Sequence, residues 1–219
     1  MTITAKDVIE AQAHIGTLKS EAHPKTNKYW AEVTNGVVVI NPESVAQQLE
    51  AARIKIQEAK KEGKEILVIS EKKMIADELA MLGETANISY LNYKQPGGFI
   101  TNFETFKKRI ESMNSMERFV ESENYKALTK KEQLVYTRKL ARVLKIYKGV
   151  KKLTKKPDLI IVLDGQMMDS LINEIVKSKI DNIIIAGTNF SRRWDEDKIL
   201  VTNIGSNKAL NFVLQTIIK

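Results

Sequence analysis

Leu159-Ile160-Ile161-Val162-Leu163-Asp164-Gly165 is the stretch that settles the architecture. Five branched apolar residues in unbroken succession suit a strand buried on both faces, since a half-solvated strand would alternate apolar with polar. Runs of the same kind recur on either side. Ile66-Leu67-Val68-Ile69 and the weaker Ile88 to Leu91 precede it, while Ile183-Ile184-Ile185-Ala186 and Ile199 to Thr202 follow. Helical patterns separate these runs. Met74 to Leu82 has Ser70 as N-cap and Gly83 as its stop, a second helix spans about Gln166 to Ser178, and Ser206 caps a last one that runs to the carboxyl terminus. Strands alternating with helices predict a parallel sheet covered on both sides. Right-handed crossovers then make it a doubly wound, Rossmann-like α/β sandwich.

Toward the amino terminus, Val37-Val38-Val39-Ile40 reads as another strand buried on both faces, entered through the turn signal Asn35-Gly36. Asn41 as N-cap and Pro42 at the first helical position open a helix that turns Val45, Leu49, Ala52 and Ile56 inward and stops near Gly63. Earlier still, Lys6 to Ala13 predicts a short helix before Gly16. The polar loop that follows holds His14, His23-Pro24-Lys25, Lys28, Tyr29 and Trp30. Two histidines nine apart with no cysteine beside them suit packed or hydrogen-bonded side chains, so no metal ligands are assigned. Lys25, Lys28 and Tyr29 fit phosphate and sugar contacts instead.

Between the third strand and Leu159 the alternation breaks. Gly97-Gly98 sits just after a strand and just before a helix, but the segment is neither G-x-G-x-x-G nor a Walker loop. It reads as a tight junction at which a helical element leaves the sheet. Thr101 to Glu104 has capping-box spacing, and Phe103, Phe106, Ile110, Met113, Met116 and Val120 form a near-heptad seam. Thr129 to Glu132 is a second capping box opening a second helix. Two amphipathic helices with a short connection predict an antiparallel hairpin that projects as its own lobe. The expected division is an α/β domain over 1–100 and 158–219 with an inserted basic coiled-coil hairpin over 101–157.

The charge is concentrated in that insertion. Lys130 to Lys156 carries eleven cations against Glu132 alone, a net +10, in a chain whose total is +8. Arg138, Arg142, Lys145, Lys148 and Lys152 recur at helical steps and draw one cationic stripe. Leu140, Val143, Leu144, Tyr147 and Val150 form the apolar face of the same segment. Positive charge gathered this way points at a polyanion.

Enzymatic signals are sparse. Asp164 ends a strand, where doubly wound enzymes keep their chemistry, yet no second carboxylate at motif spacing, histidine of the carboxyl half or nucleophile elbow accompanies it. The alternative reading is nevertheless a doubly wound enzyme or small-ligand-binding protein using the strand ends near Asp164 and Gly205. Thr188-Asn189 and Gly205-Ser206-Asn207 read as turns and caps, while Arg192, Arg193 and Trp194 could stack on RNA or meet a partner protein. Zero cysteines exclude a disulfide scaffold and a zinc–thiolate site. The first residues lack a signal-peptide layout, and no apolar run approaches the roughly 20 residues that span a bilayer, so a soluble intracellular protein is expected.

Ala13-His14-Ile15-Gly16, His23-Pro24-Lys25, Lys72-Lys73, Gly97-Gly98 followed by Thr101-Asn102-Phe103, and Pro157-Asp158-Leu159 leading to Asp164 together resemble the bacterial-type small ribosomal subunit protein two, the S-two family. The resemblance covers nearly the whole chain. It departs at Thr17, Gln95-Pro96, Asp164-Gly165 and Gly187, where that family usually carries His, Trp-Leu, Asp-Pro and Asp. It implies a non-catalytic constituent of the small subunit with no cofactor, bound to small-subunit ribosomal RNA near the head–body junction. Neighbouring ribosomal proteins, including the S-one protein, would be partners. The setting would be the cytoplasmic ribosome, with an organelle ribosome as the other setting. The expected RNA contacts are Lys25, Lys28 and Tyr29 in the amino-terminal loop and Lys94 and Asn102 at the junction. Lys107, Lys108 and Arg109 are expected on the first hairpin helix, and Arg138, Arg142, Lys145, Lys148, Lys151 and Lys152 on the second.

Overall fold

Why Leu159 to Leu163 has no polar alternation is plain from its neighbours: it is the middle strand of five. A computed structural model describes residues 3–191 and 195–218. The first part of the chain holds α1 (Ala5–Glu10), β1 (Ile15–Leu18), β2 (Trp30–Thr34), β3 (Val37–Ile40) and α2 (Pro42–Lys61). Next come β4 (Ile66–Ile69), α3 (Ala76–Ala86), β5 (Ser89–Leu91), α4 (Phe103–Val120), α5 (Glu123–Lys126) and α6 (Lys130–Tyr147). The last part holds β6 (Leu159–Leu163), α7 (Asp169–Ser178), β7 (Asp181–Ala186), β8 (Ile199–Val201) and α8 (Asn207–Ile218).

The larger sheet is wholly parallel, in the order β5-β4-β6-β7-β8. Its winding reverses between β4 and β6, the switch point of a doubly wound fold. Successive strand residues serve opposite cores. Ile66, Val68, Leu159 and Ile161 pack in one core with the inward residues of α2, α3 and α8. Leu67, Ile69, Ile160 and Val162 pack in the other with Leu171 and Ile175 of α7 and with Phe103, Phe106, Ile110, Met113 and Tyr147 of α4 and α6. The base of the hairpin therefore acts as the layer over that face of the sheet, where a simpler fold would put one crossover helix.

Pairing along the hairpin is antiparallel. Phe106 near the start of α4 lies 6.4 Å from Tyr147 at the end of α6, and Phe119 near the end of α4 lies 5.0 Å from Tyr136. Tyr125 on α5 completes an aromatic triad at the tip, 6.1 Å from Phe119 and 6.0 Å from Tyr136.

Four sequence expectations are corrected. Val37–Ile40 is not a strand of the parallel sheet; it is the centre of a separate antiparallel sheet ordered β1-β3-β2. The Asn35-Gly36 turn, with φ of 50° and 77°, joins β2 to β3 in two residues, which only antiparallel pairing allows. Only Val38 and Ile40 of that strand are fully buried. Second, α3 does not stop at Gly83 but runs through it and ends on Asn87 in the left-handed region; the glycine serves close packing instead, since a Cβ there would meet the Tyr90 ring at 2.4 Å. Third, Ser70 does not cap α3: its hydroxyl accepts from Lys72 N and a 3-10 turn intervenes before the helix. Fourth, the first capping box is absent: α4 starts after Asn102, whose side chain accepts from Thr105 Oγ1 at 2.8 Å and caps no amide. The second box exists, Thr129 N and Oγ1 both donating to Glu132 and Glu132 N to Thr129 Oγ1.

Candidate nucleic-acid interface

The crevice at the carboxyl ends of the strands was the alternative site, and the chain itself fills it. Beyond β6, Lys72 Nζ lies 2.9 Å from Asp164 Oδ2. Beyond β7, Thr188 accepts three bonds from the amino-terminal segment: Thr17 N to its Oγ1 at 2.9 Å, and His23 N and Thr26 Oγ1 to its carbonyl at 2.8 and 2.9 Å. Beyond β8, Thr202 Oγ1 and Asn203 N both donate to Ala13 O, and Asn203 Nδ2 to Gln12 O. Gly16 passes so close to Thr188 that a Cβ would sit 2.9 Å from its side chain, as well as 2.8 Å from Val38 O. These backbone-directed bonds seat the small antiparallel sheet on the strand ends near Gly205. A small ligand would have to displace the protein's own backbone there.

The glycine junction is also occupied from within. Gly98 has φ of 80°, and its N–H and that of Ile100 both point at Glu174 on α7, at 2.6 and 3.1 Å from the two carboxylate oxygens. The N–H groups of alternate residues converge here on one carboxylate, as in an anion nest filled by a side chain, while the intervening Phe99 N donates to Pro96 O at 3.1 Å. Gln95 N donates to Glu71 at 2.9 Å on the approach to the same junction. The mounting of the hairpin is thus pinned rather than hinged.

Along α6 and the 3-10 turn Lys148–Val150 that follows it, the cationic stripe divides. Its end nearer the sheet is bonded to the protein. Lys145 Nζ stands 4.1 Å over the Tyr93 ring, Lys148 is 3.0 Å from Glu84, Lys151 pairs with Glu117, and Lys152 donates to Asn87 Oδ1 at 2.9 Å. Tyr90 also donates to Glu84 at 3.1 Å. The Lys148 bond, then the Tyr90 bond, hold the Glu84 carboxyl below its ordinary range, while burial and Glu84 push the Tyr90 phenol up to about 12. Toward the tip, Arg138 and Arg142 are exposed on the side of α6 away from its apolar seam, and among the described residues no acid is bonded to either.

The remaining candidates scatter. Lys107 is half-buried, Lys108 and Arg109 are exposed on α4, and the Arg109 guanidinium lies 4.9 Å from the Phe106 ring. Lys94 and Asn102 are exposed near the junction. Lys25 and Lys28 are exposed on a 3-10 turn, Pro24–Tyr29, which His23 caps by accepting from Lys25 N. Tyr29 is 8% exposed and its ring belongs to the main core, with Lys28 Nζ 5.0 Å from the ring centroid. Arg192, Arg193 and Trp194 lie outside the described residues.

The profile of the family described as ribosomal protein S2 matches residues 8–219. The chain belongs to the ribosomal protein S2 family. Its relatives include the small ribosomal subunit protein uS2 of Amoebophilus asiaticus, 29% identical over 220 residues that take in 99% of this chain and 69% of that one. The uS2 protein of Coprothermobacter proteolyticus is 31% identical, across 85% of this chain and 70% of its own. That of Flavobacterium johnsoniae is 26% identical, across 98% and 84%. S2 family membership places the chain among structural, non-enzymatic proteins of the small ribosomal subunit. No helix among the described residues is long and apolar enough to cross a membrane.

Three residues important to this geometry escaped the sequence reading. Glu174 sits on an ordinary amphipathic helix and carries no local signal. Lys72 was noted only as half of a Lys-Lys pair, and Thr188 only as a turn residue.

Proposed function

We propose that this S2 family chain is held in the small ribosomal subunit by phosphate contacts to ribosomal RNA, made chiefly by the outer half of α6. The observation that carries this reading is the pair Arg138 and Arg142, exposed four residues apart on one helix face with no acid bonded among the described residues. A guanidinium in that position can take a phosphate bidentately and release its counterions. Lys108 on α4, Lys94 and Asn102 at the junction, and Lys25 and Lys28 on the amino-terminal turn are further contacts. Lys107 and Arg109 serve at the base of the hairpin. Lys145, Lys148 and Lys152 chiefly hold the hairpin to the body, and Lys151 ties the end of the hairpin to Glu117 on α4. With few aromatics interleaved among these cations, reading is by backbone and shape rather than by base edges.

In this proposal 101–157 works as an inserted arm and the α/β body of 1–100 and 158–219 as its mount. Neighbouring small-subunit proteins, the S-one protein among them, are the protein partners, and the site of action is the cytoplasmic ribosome.

The test is the double variant Arg138→Glu with Arg142→Glu. Lys145 is left intact because its ammonium rests on Tyr93. Binding to small-subunit RNA should weaken, and the slope of log affinity against log salt should fall by about 2, roughly one unit per lost phosphate contact. The melting temperature should hold. Wild-type affinity and slope in the double variant would remove the arm from the interface.

A further inference from the structure

At the tip of the hairpin two branched apolar side chains face water: Leu134 is 51% and Val135 60% exposed. They lie on the outer side of α6, away from the seam that Tyr136, Leu140 and Tyr147 occupy. Exposed helix positions favour Ala, Glu, Lys or Gln, and a β-branched valine there works against the helix. Cations rim the pair. Lys131 precedes Leu134 by three residues and Lys139 follows Val135 by four, so each is a neighbour on the same face. Lys130 is exposed beside them.

Two acids of the tip are engaged elsewhere. Glu132 is turned back into the capping box with Thr129, and Glu123 is paired with Lys126 at 2.6 Å. The tip is also rigidly built. Phe119, Tyr125 and Tyr136 pack as a triad, Tyr125 Oη is 2.7 Å from Thr137 Oγ1, and Gln133 Nε2 donates to the carbonyls of Tyr125, Lys126 and Leu128.

We infer that this patch docks a neighbouring protein of the small subunit, one that presents an apolar side chain ringed by carboxylates. Charge complementarity selects the acidic ring, since the rim is cationic on both flanks of the apolar pair. Phosphates would satisfy Lys131 and Lys139 but leave Leu134 and Val135 against a hydrated, charged backbone. A preordered tip suits such contact because little side-chain and loop entropy is lost on docking. The inference rests on the small-subunit setting and assigns the tip a different partner from the RNA proposed for Arg138 and Arg142.

The experiment compares wild type with the double variant Leu134→Ala and Val135→Ala, which keeps the helix because alanine is the better helix former. Binding is measured to naked small-subunit RNA and, separately, to small-subunit particles depleted only of this chain. The expected result is unchanged affinity for naked RNA and a loss of about tenfold on the particles, the scale of an apolar anchor removed from an interface. Equal losses in both arms would mean that the patch faces RNA, and no loss in either that it faces solvent; each overturns the inference. So would a wild-type homodimer that the double alanine variant abolishes. A wild type that does not bind naked RNA refutes the RNA reading and leaves the particle arm to decide this one.

Discussion

Lys72 and Asp164 close the switch point of the sheet against each other, with side chains only 16% and 5% exposed. Asp164 reaches this position from the left-handed backbone region, at φ of 66°, which asparagine and aspartate tolerate better than other side chains. A crevice that serves as a ligand site in other doubly wound proteins is here a structural ion pair. Removing one partner of a buried pair leaves the other uncompensated, so Lys72→Met should destabilise by about 3–5 kcal/mol. Adding Asp164→Asn, which suits the same backbone, should restore most of that. Urea denaturation decides: if Lys72→Met costs no more than Lys73→Met at its exposed neighbour, the pair is not closed in solution.

Glu174 pins the glycine junction through two amides. Glu174→Ala leaves both N–H groups without that acceptor and should lower stability by about 1–3 kcal/mol. Amide hydrogen exchange should accelerate at Gly98 and Ile100 before it does in the strands. Unchanged protection at those two amides would show that the carboxylate does not hold them.

Gly149 lies where the end of the hairpin covers the edge strand β5. A Cβ at that position would stand 2.2 Å from Tyr90 O and 2.5 Å from its ring. The carbonyl belongs to the backbone and cannot rotate away, so Gly149→Ala must push the hairpin base off the edge. Overpacking of this kind costs about 1–3 kcal/mol, whereas Gly97→Ala, which meets nothing within 4 Å, should be nearly silent. Similar urea midpoints for the two alanine variants would contradict the contact.

Tyr90 links the same edge to pH. Its phenol titrates at about 12 against an ordinary 10.0, first because it is buried and then because it donates to Glu84. A raised folded-state value means that stability from this group is complete below pH 10 and is lost as pH climbs from about 10 to about 12. Tyrosine absorbance should show a late ionisation step that Tyr90→Phe removes, and the alkaline loss of stability should shrink with it. Glu84 has the opposite sign. Its lowered carboxyl supports the fold above the ordinary carboxylate range, and that support fades as pH falls through the depressed value.

Much of this protein could be read along the chain, and the reason is range. Buried parallel strands announce themselves as branched runs, Asn41-Pro42 and Thr129-Glu132 act over three or four residues, and the excess charge of Lys130 to Lys156 needs only counting. Such features depend on neighbours a turn away, so they survive without knowledge of the fold. Partner choice does not. Val37–Ile40 has the composition of a parallel strand, and the two-residue turn before it sent it to another sheet. Glu174 finds Gly98 from 76 residues away, and Thr17 finds Thr188 from 171. The stripe from Arg138 to Lys152 looks uniform in sequence, yet packing of the hairpin base against α3 and β5 commits Lys148 and Lys152 and leaves Arg138 and Arg142 open. Those assignments depend on which surfaces meet once both cores close, and that is settled by the packing of whole layers rather than by any local stretch.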